Sequence, residues 1–199
     1  KDEFISIASH QLRTPVTTIK QYLAMVIDGL GGDTLTTRQL AFLQKAYESN
    51  ERQLTIINNL LKVAQIDAGT MELAQKEVDI SQIICEAIED FSPIFRKADQ
   101  VLDGKVNSVT RAYIDENAIR MVIDNLLENA KKYSESGAKT EVKIVHIDSM
   151  LRLIVADEGV GVSRPERLFK KFSRIENKLS TQVGGTGLGL YWAQSIARL

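Results

Sequence analysis

The chain has a single cysteine, Cys85, among 199 residues. It can form no internal disulfide, which excludes a small stapled secretory scaffold. Set in the apolar stretch "SQIICEAI", Cys85 reads as a small core residue rather than a nucleophile, and fits a reducing compartment. Charge of either sign is not in excess: 25 Lys and Arg against 26 Asp and Glu leave a net charge of −1. That balance gives no electrostatic case for nucleic acid or an anionic membrane as the main partner. No stretch approaches the roughly 18 apolar residues of a membrane span, and no signal peptide is visible. The chain opens inside a helical pattern, without a methionine or a cap, and reads as a fragment whose membrane segments, if any, would lie upstream. What remains is 44% hydrophobic and 26% charged, enough for a real core in one large or two small domains.

The first third is helical throughout. Ile5, Leu12, Ile19 and Val26 recur every seven residues, with Val16, Leu23 and Leu30 at the same spacing beside them. This is a narrow apolar stripe suited to helix–helix packing. "GLGGD" at 29–33 ends it, and a second helix starts near Thr36 or Thr37, either of which can cap it. The second stripe is Leu40, Tyr47, Leu54 and Leu61, flanked by Leu43, Ile57 and Ala64 and interrupted by Asn50, a polar residue of the kind that fixes register. Two such helices make an antiparallel hairpin, which alone buries too little. A second copy completing a four-helix bundle is the economical solution.

From about Asp67 the pattern changes. "DAGTMELAQKEVD" reads as linker or short strand, then a helix runs over about 80–97. Residues 99–111 show no clear period and read as loop with one strand at most. "DENAIRMVIDNLLENAKKYS" is helical with Asp115 as its cap, and "TEVKIVHID" and "MLRLIVAD" alternate as two strands. Helices mixed with hairpin strands predict an α+β sandwich rather than repeated βαβ units. The domain boundaries that follow are 1–67 for the hairpin, 68–78 for a linker and 79–199 for the sandwich.

Four stretches carry candidate chemistry, and each has an ordinary explanation beside it. His10 lies five residues past Ile5, about 140° around the helix and so off the apolar stripe. It is either surface decoration or a reactive group. Asn125 and Asn129 share one helix face, with Glu128 beside them and Lys132 and Tyr133 one turn on. Amide oxygens suit Mg²⁺, a lysine can meet phosphate and a tyrosine can stack on a base, yet all are common on exposed helices. "DEGVG" at 157–161 ends a strand. Asp157 can accept from an exocyclic amine, and Gly159 and Gly161 admit a flat ring. The alternative is an acidic turn. "GGTGLGL" at 184–190 precedes a helix and can offer amides to phosphate. It lacks the preceding strand of a dinucleotide fingerprint and the Gly-Lys-Ser/Thr of a P-loop.

Together these stretches resemble the motif boxes of bacterial two-component sensor histidine kinases. "FISIASHQLRTP" is similar to the H box, "DNLLENAKKYS" to the N box, "DEGVG" and "GGTGLGL" to the two glycine boxes, and "LFKKFSR" to the F box. All occur in family order, and the resemblance covers essentially the whole chain. It implies a dimerising histidine-phosphotransfer hairpin followed by an ATP-binding domain of the gyrase, Hsp90, histidine kinase and MutL (GHKL) type. It implies ATP and Mg²⁺ as cofactors, a homodimer, and a response-regulator receiver domain as partner, with no nucleic acid. It also implies a cytoplasmic location, the parent protein being anchored to a membrane only through segments outside this chain. By matching position, His10 takes the γ-phosphoryl group, Gln11 orients its ring, and Thr14 sits at the phosphatase position. Asn129 holds Mg²⁺ with help from Asn125, Lys132 meets phosphate, Tyr133 lines the adenine and Asp157 binds its amine. Gly159, Gly161, Gly185, Gly187 and Gly189, with Thr186 and Leu188, shape the pocket. Phe169 and Phe172 anchor an ATP lid over about 173–183.

Two departures stand out. Gln11 occupies the place of the family's usual acidic residue. It can accept the imidazole N–H but brings no negative charge, so a slower kinase or a phosphatase-biased enzyme is the alternative. The chain also stops at Leu199 inside a helix, where the family continues into a last pair of strands. An ATPase without a histidine substrate would leave His10 dispensable, and a pseudokinase scaffold would not turn over. His146, in a predicted strand, is given no role.

Overall fold

The computed structural model describes residues 2–30, 32, 34–106, 109–148, 150–173, 175, 179 and 186–199, with the backbone alone for residues 2–11 and 105. The chain forms two compact units, residues 1–71 and 72–199.

The first unit is a hairpin of α1 (Asp2–Ile27) and α2 (Thr37–Ala68). Helix α2 begins on a capping box. The Thr36 hydroxyl accepts the Gln39 N–H at 3.3 Å, and Gln39 Oε1 accepts the Thr36 N–H at 2.9 Å. It ends on Gly69 in the left-handed region, φ 68°. Along α2, Leu40, Leu43, Tyr47, Asn50, Leu54, Ile57, Leu61 and Ala64 are all partly or fully buried, the alternating three- and four-residue spacing of a helix–helix seam. The seam is not wholly apolar. Arg13 Nε donates to Asn58 Oδ1 at 3.1 Å, Lys20 Nζ lies 3.0 Å from Glu51 Oε1, and Asn50 is buried. The predicted stripe on α1 divides in two. Val16 and Leu23 are half-buried, whereas Leu12, Ile19 and Val26 stay exposed. Pro15 lies within α1 without ending it.

The second unit runs β1 (Lys76–Asp79), α3 (Ile80–Lys97), β2 (Val101–Lys105), β3 (Arg111–Ile114), α4 (Glu116–Lys132), β4 (Lys139–Ile147), β5 (Met150–Asp157) and α5 (Gly189–Ile196), with one 3₁₀ turn at Pro165–Arg167. Strands β4 and β5 form the expected antiparallel hairpin, with Val142 opposite Val155. Strand β2 adds to β4 in parallel, Leu102 opposite Thr140, a crossover that local periodicity could not reveal. Strand β2 lies within the stretch 99–111 read as loop with one strand, and β3, starting at its last residue Arg111, pairs antiparallel with β1. On α3, Ile80, Ile83, Ile84 and Ala87 follow the i, i+3, i+4, i+7 spacing of one buried face. They pack with Ile123 and Leu127 of α4 and Val142 of β4. Position 85 falls off that face, so Cys85 is exposed and the expectation of a core cysteine is corrected. His146 is exposed on β4.

Candidate functional site

The site begins with how α4 is fixed. Asp115 caps it, its carboxylate accepting the Ala118 N–H at 2.9 Å and the Ala74 N–H at 2.8 Å. The Ala118 bond, opposed by some desolvation and reinforced by Ala74, holds the Asp115 carboxyl below the usual carboxylate range. Ala118, Val122, Ile123, Leu127 and Ala130 face inward. The same periodicity therefore brings Asn125, Asn129 and Lys132 onto a half-buried edge of α4. Lys132 Nζ is held 2.9 Å from Glu128 Oε2, a surface pair weak enough to release the ammonium to an arriving anion.

Three of the separated motifs meet around α4 without any long-range signal in the sequence. Asp157 ends β5 and accepts the Gly159 N–H at 3.0 Å, while the Val160 N–H donates to the Tyr133 carbonyl at 2.9 Å. A Cβ at Gly159 would lie 2.6 Å from the Tyr133 carbonyl oxygen and 2.5 Å from Asp157 Oδ1. Only a glycine lets this turn close on the end of α4. A Cβ at Gly189 would run into the Asn125 side-chain amide, so α5 also starts directly against α4. The Asn125 Nδ2 group is buried there without a hydrogen-bond partner. Gly187, at φ 69°, abuts the Phe172–Ser173 backbone, 2.7 Å from the Phe172 carbonyl carbon at its Cβ position. Leu188, fully buried, places its N–H 3.3 Å from the Thr186 hydroxyl. Gly161 adopts φ 68° in the turn after β5.

Phe169 and Phe172 are 42% and 63% exposed, and Phe172 meets Gly187 through its backbone at φ 58°. The side chains of His10 and Gln11, the residue Gly185 and most of the expected lid lie outside the described residues. Thr14 is exposed on α1 and its carbonyl accepts the Thr18 hydroxyl at 3.0 Å. Sequence reasoning missed Gln100, which is buried and donates to three carbonyls at the end of α4. A glutamine in a turn between helix and strand gives no local signal. Among the described residues no group of three His, Cys, Asp or Glu side chains is suited to a metal.

A turn-bound carboxylate at Asp157, a glycine floor, amides of two asparagines and a lysine therefore line one end of α4. Chemically, this can take a flat heterocycle at one side and anionic groups at the other.

Residues 1–69 match the family model "His Kinase A (phospho-acceptor) domain", and residues 114–199 match "Histidine kinase-, DNA gyrase B-, and HSP90-like ATPase". The sensor histidine kinase WalK of Bacillus subtilis is 27% identical over 98% of the chain and 32% of the relative. The circadian input-output histidine kinase CikA of Synechococcus elongatus is 28% identical over 100% of the chain and 27% of the relative. The chain thus spans less than half the length of these curated relatives. Among solved structures, full-length ShkA in complex with AMPPNP aligns with a TM-score of 0.80 at 26% identity, over 98% of this chain and 40% of that one. The histidine kinase AdeS of Acinetobacter baumannii aligns at 0.62 and 25% identity, over 94% and 85%.

Proposed function

We propose that this chain, which belongs to the sensor histidine kinase family, transfers the γ-phosphoryl group of ATP to His10 and from there to an aspartate of a response-regulator receiver domain. The observation that carries the reading is the convergence of Asn125, Asn129, Lys132, Asp157 and the glycine turns at one end of α4.

Phosphoryl transfer needs positioning and charge neutralisation more than covalent chemistry from the protein. Asp157, its free oxygen open to solvent, would accept the adenine amine, and Tyr133 would line the ring. Gly187 and Gly189 would let the backbone at the start of α5 approach the phosphates, with Thr186 beside them. Lys132 would exchange Glu128 for phosphate oxygens. Mg²⁺ would be held by the Asn129 amide, with Asn125 beside it. The absence of an acidic cluster among the described residues fits an ion that keeps waters and leans on phosphate. Mg²⁺ would supply charge neutralisation on the triphosphate. A neutral imidazole nitrogen of His10 would attack the γ-phosphorus as the bond to ADP breaks. Gln11 would accept the other ring N–H, and Thr14, exposed one turn on, would orient water during dephosphorylation of the partner. Leu12, Ile19 and Val26, exposed on α1, would pack against a second copy to complete a four-helix bundle.

One observation favours a second reading, a weak or phosphatase-biased kinase: Gln11 is neutral where the family places an acid.

The test is incubation with γ-labelled ATP and Mg²⁺. Acid-labile, alkali-stable label is expected on the chain and lost completely in His10→Ala. Label that survives His10→Ala would sink the proposal.

A further inference from the structure

The strongest feature outside the motif boxes is the side chain of Gln100. It is 6% exposed, in the turn between α3 and β2. Its Nε2 donates to the Ser134 carbonyl at 2.7 Å, with the Lys131 and Glu135 carbonyls at 3.2 and 3.4 Å. The Lys131 and Ser134 carbonyls lie at the end of α4 and in the loop after it, while the Glu135 carbonyl also accepts the Ala138 N–H at 3.2 Å. The turn carrying Gln100 is itself fixed. The Gln100 N–H donates to the carbonyl of Phe95, which is 1% exposed, and the Val101 N–H donates to Ala138. Asp99 takes up the far side of the same loop through the Gly137 N–H and the Ser136 hydroxyl, both at 2.6 Å.

What Gln100 holds still is next to the site. Ser134 adjoins Tyr133, whose carbonyl accepts the Val160 N–H, and both residues face the glycine turn that carries Asp157. Gln100 Oε1 and the Ser134 hydroxyl are both buried without a protein partner. Buried polar atoms of this kind commonly share an ordered water. The path from Gln100 to Asp157 alternates hydrogen bonds, Gln100 to Ser134, Val160 to Tyr133 and Gly159 to Asp157, with the peptide links between neighbouring residues.

We infer that Gln100 is a positioning residue: by clamping the carbonyls of Lys131, Ser134 and Glu135 it sets where Tyr133 and the Asp157 turn stand, and so governs discrimination of the nucleobase. This role rests on the ATP reading above. Asn129 lies within α4, before the clamped carbonyls.

The test compares Mg·ATP with Mg·ITP, which lacks the exocyclic amine, by calorimetric titration of the full chain. The wild-type chain should prefer ATP. Gln100→Met, which keeps length but removes the donor, should bind ATP about 5- to 10-fold more weakly and ITP nearly unchanged, so the preference collapses. Val142→Ala, a core truncation remote from the clamp, should lower the melting temperature and leave the preference intact. If Gln100→Met does not fold by circular dichroism, Gln100→Asn, whose amide falls one methylene short, is read the same way. A preference retained within about twofold in a folded Gln100 variant, or lost equally in Val142→Ala, overturns the role. A wild-type chain that binds neither nucleotide overturns the ATP reading itself, and this role with it.

Discussion

In the unit 72–199, Ile84, Ala87, Ile123, Leu127 and Val142 are fully closed to solvent. In the hairpin, Leu12, Ile19, Tyr22 and Val26 are 39–66% exposed, and Ile56 and Leu60 on α2 are more than 40% exposed. Both units show clean apolar periodicity, so periodicity alone does not tell whether a face is buried within the chain. A sheet with helices on one face offers enough surface to close a core around α3 and α4. Two helices offer each other one seam, and the second apolar row on α1 finds nothing in the hairpin to cover it. The sandwich is built to be stable as one molecule, whereas the stability of the hairpin should depend on concentration.

The sharpest way to break that comparison is Ile19→Asp. On the proposed dimer it places two charges in an apolar seam, and sedimentation velocity should show association weakened by about 100-fold or more in affinity. A single-copy hairpin would instead tolerate the change at a half-exposed site. Ile84→Ala probes the other side. It empties a closed core, and should cost about 2–5 kcal/mol in chemical denaturation of the sandwich while leaving the sedimentation profile unchanged. Equal sensitivity of both units to both substitutions would dissolve the distinction.

Smaller effects sharpen the functional side. Gln11→Glu should speed autophosphorylation by roughly 10- to 30-fold, because a charge-assisted bond to the imidazolium is worth about 1–2 kcal/mol more than a neutral one. An unchanged initial rate of labelling would show that Gln11 does not limit the step. Asp115→Ala should cost about 1 kcal/mol through loss of the α4 cap. Because the folded-state pKa of Asp115 is depressed by the Ala118 and Ala74 amides, its contribution is fully present above the ordinary carboxylate pKa of about 4 and fades as pH falls below it. The wild-type and Asp115→Ala denaturation midpoints should therefore converge in acid. A constant gap down to about pH 2 would place the stabilisation elsewhere.

A cap for α2 at Thr36 or Thr37, the α3 and α4 helices, the β4–β5 hairpin and the five motif boxes were all legible in the sequence. Each depends on neighbours within a few residues, where propensity, capping and periodicity act. The same local logic misplaced Cys85, since an apolar neighbourhood says nothing of which way one position points.

Only tertiary structure decided the rest. The parallel pairing of β2 with β4 joins residues nearly forty positions apart, and the return of β1 to β3 bridges all of α3. No window of local periodicity spans either. Likewise, the sequence determined that Asn125 and Asn129 share a face, that Asp157 ends a strand and that glycines precede α5. It left open that Gly189 would press on Asn125, that the Gly159 turn would close on Tyr133, and that Gln100 would hold the end of α4. Side-chain type and spacing fix what a segment can become, while close approach of backbones far apart in the chain is settled only when the core brings the segments together.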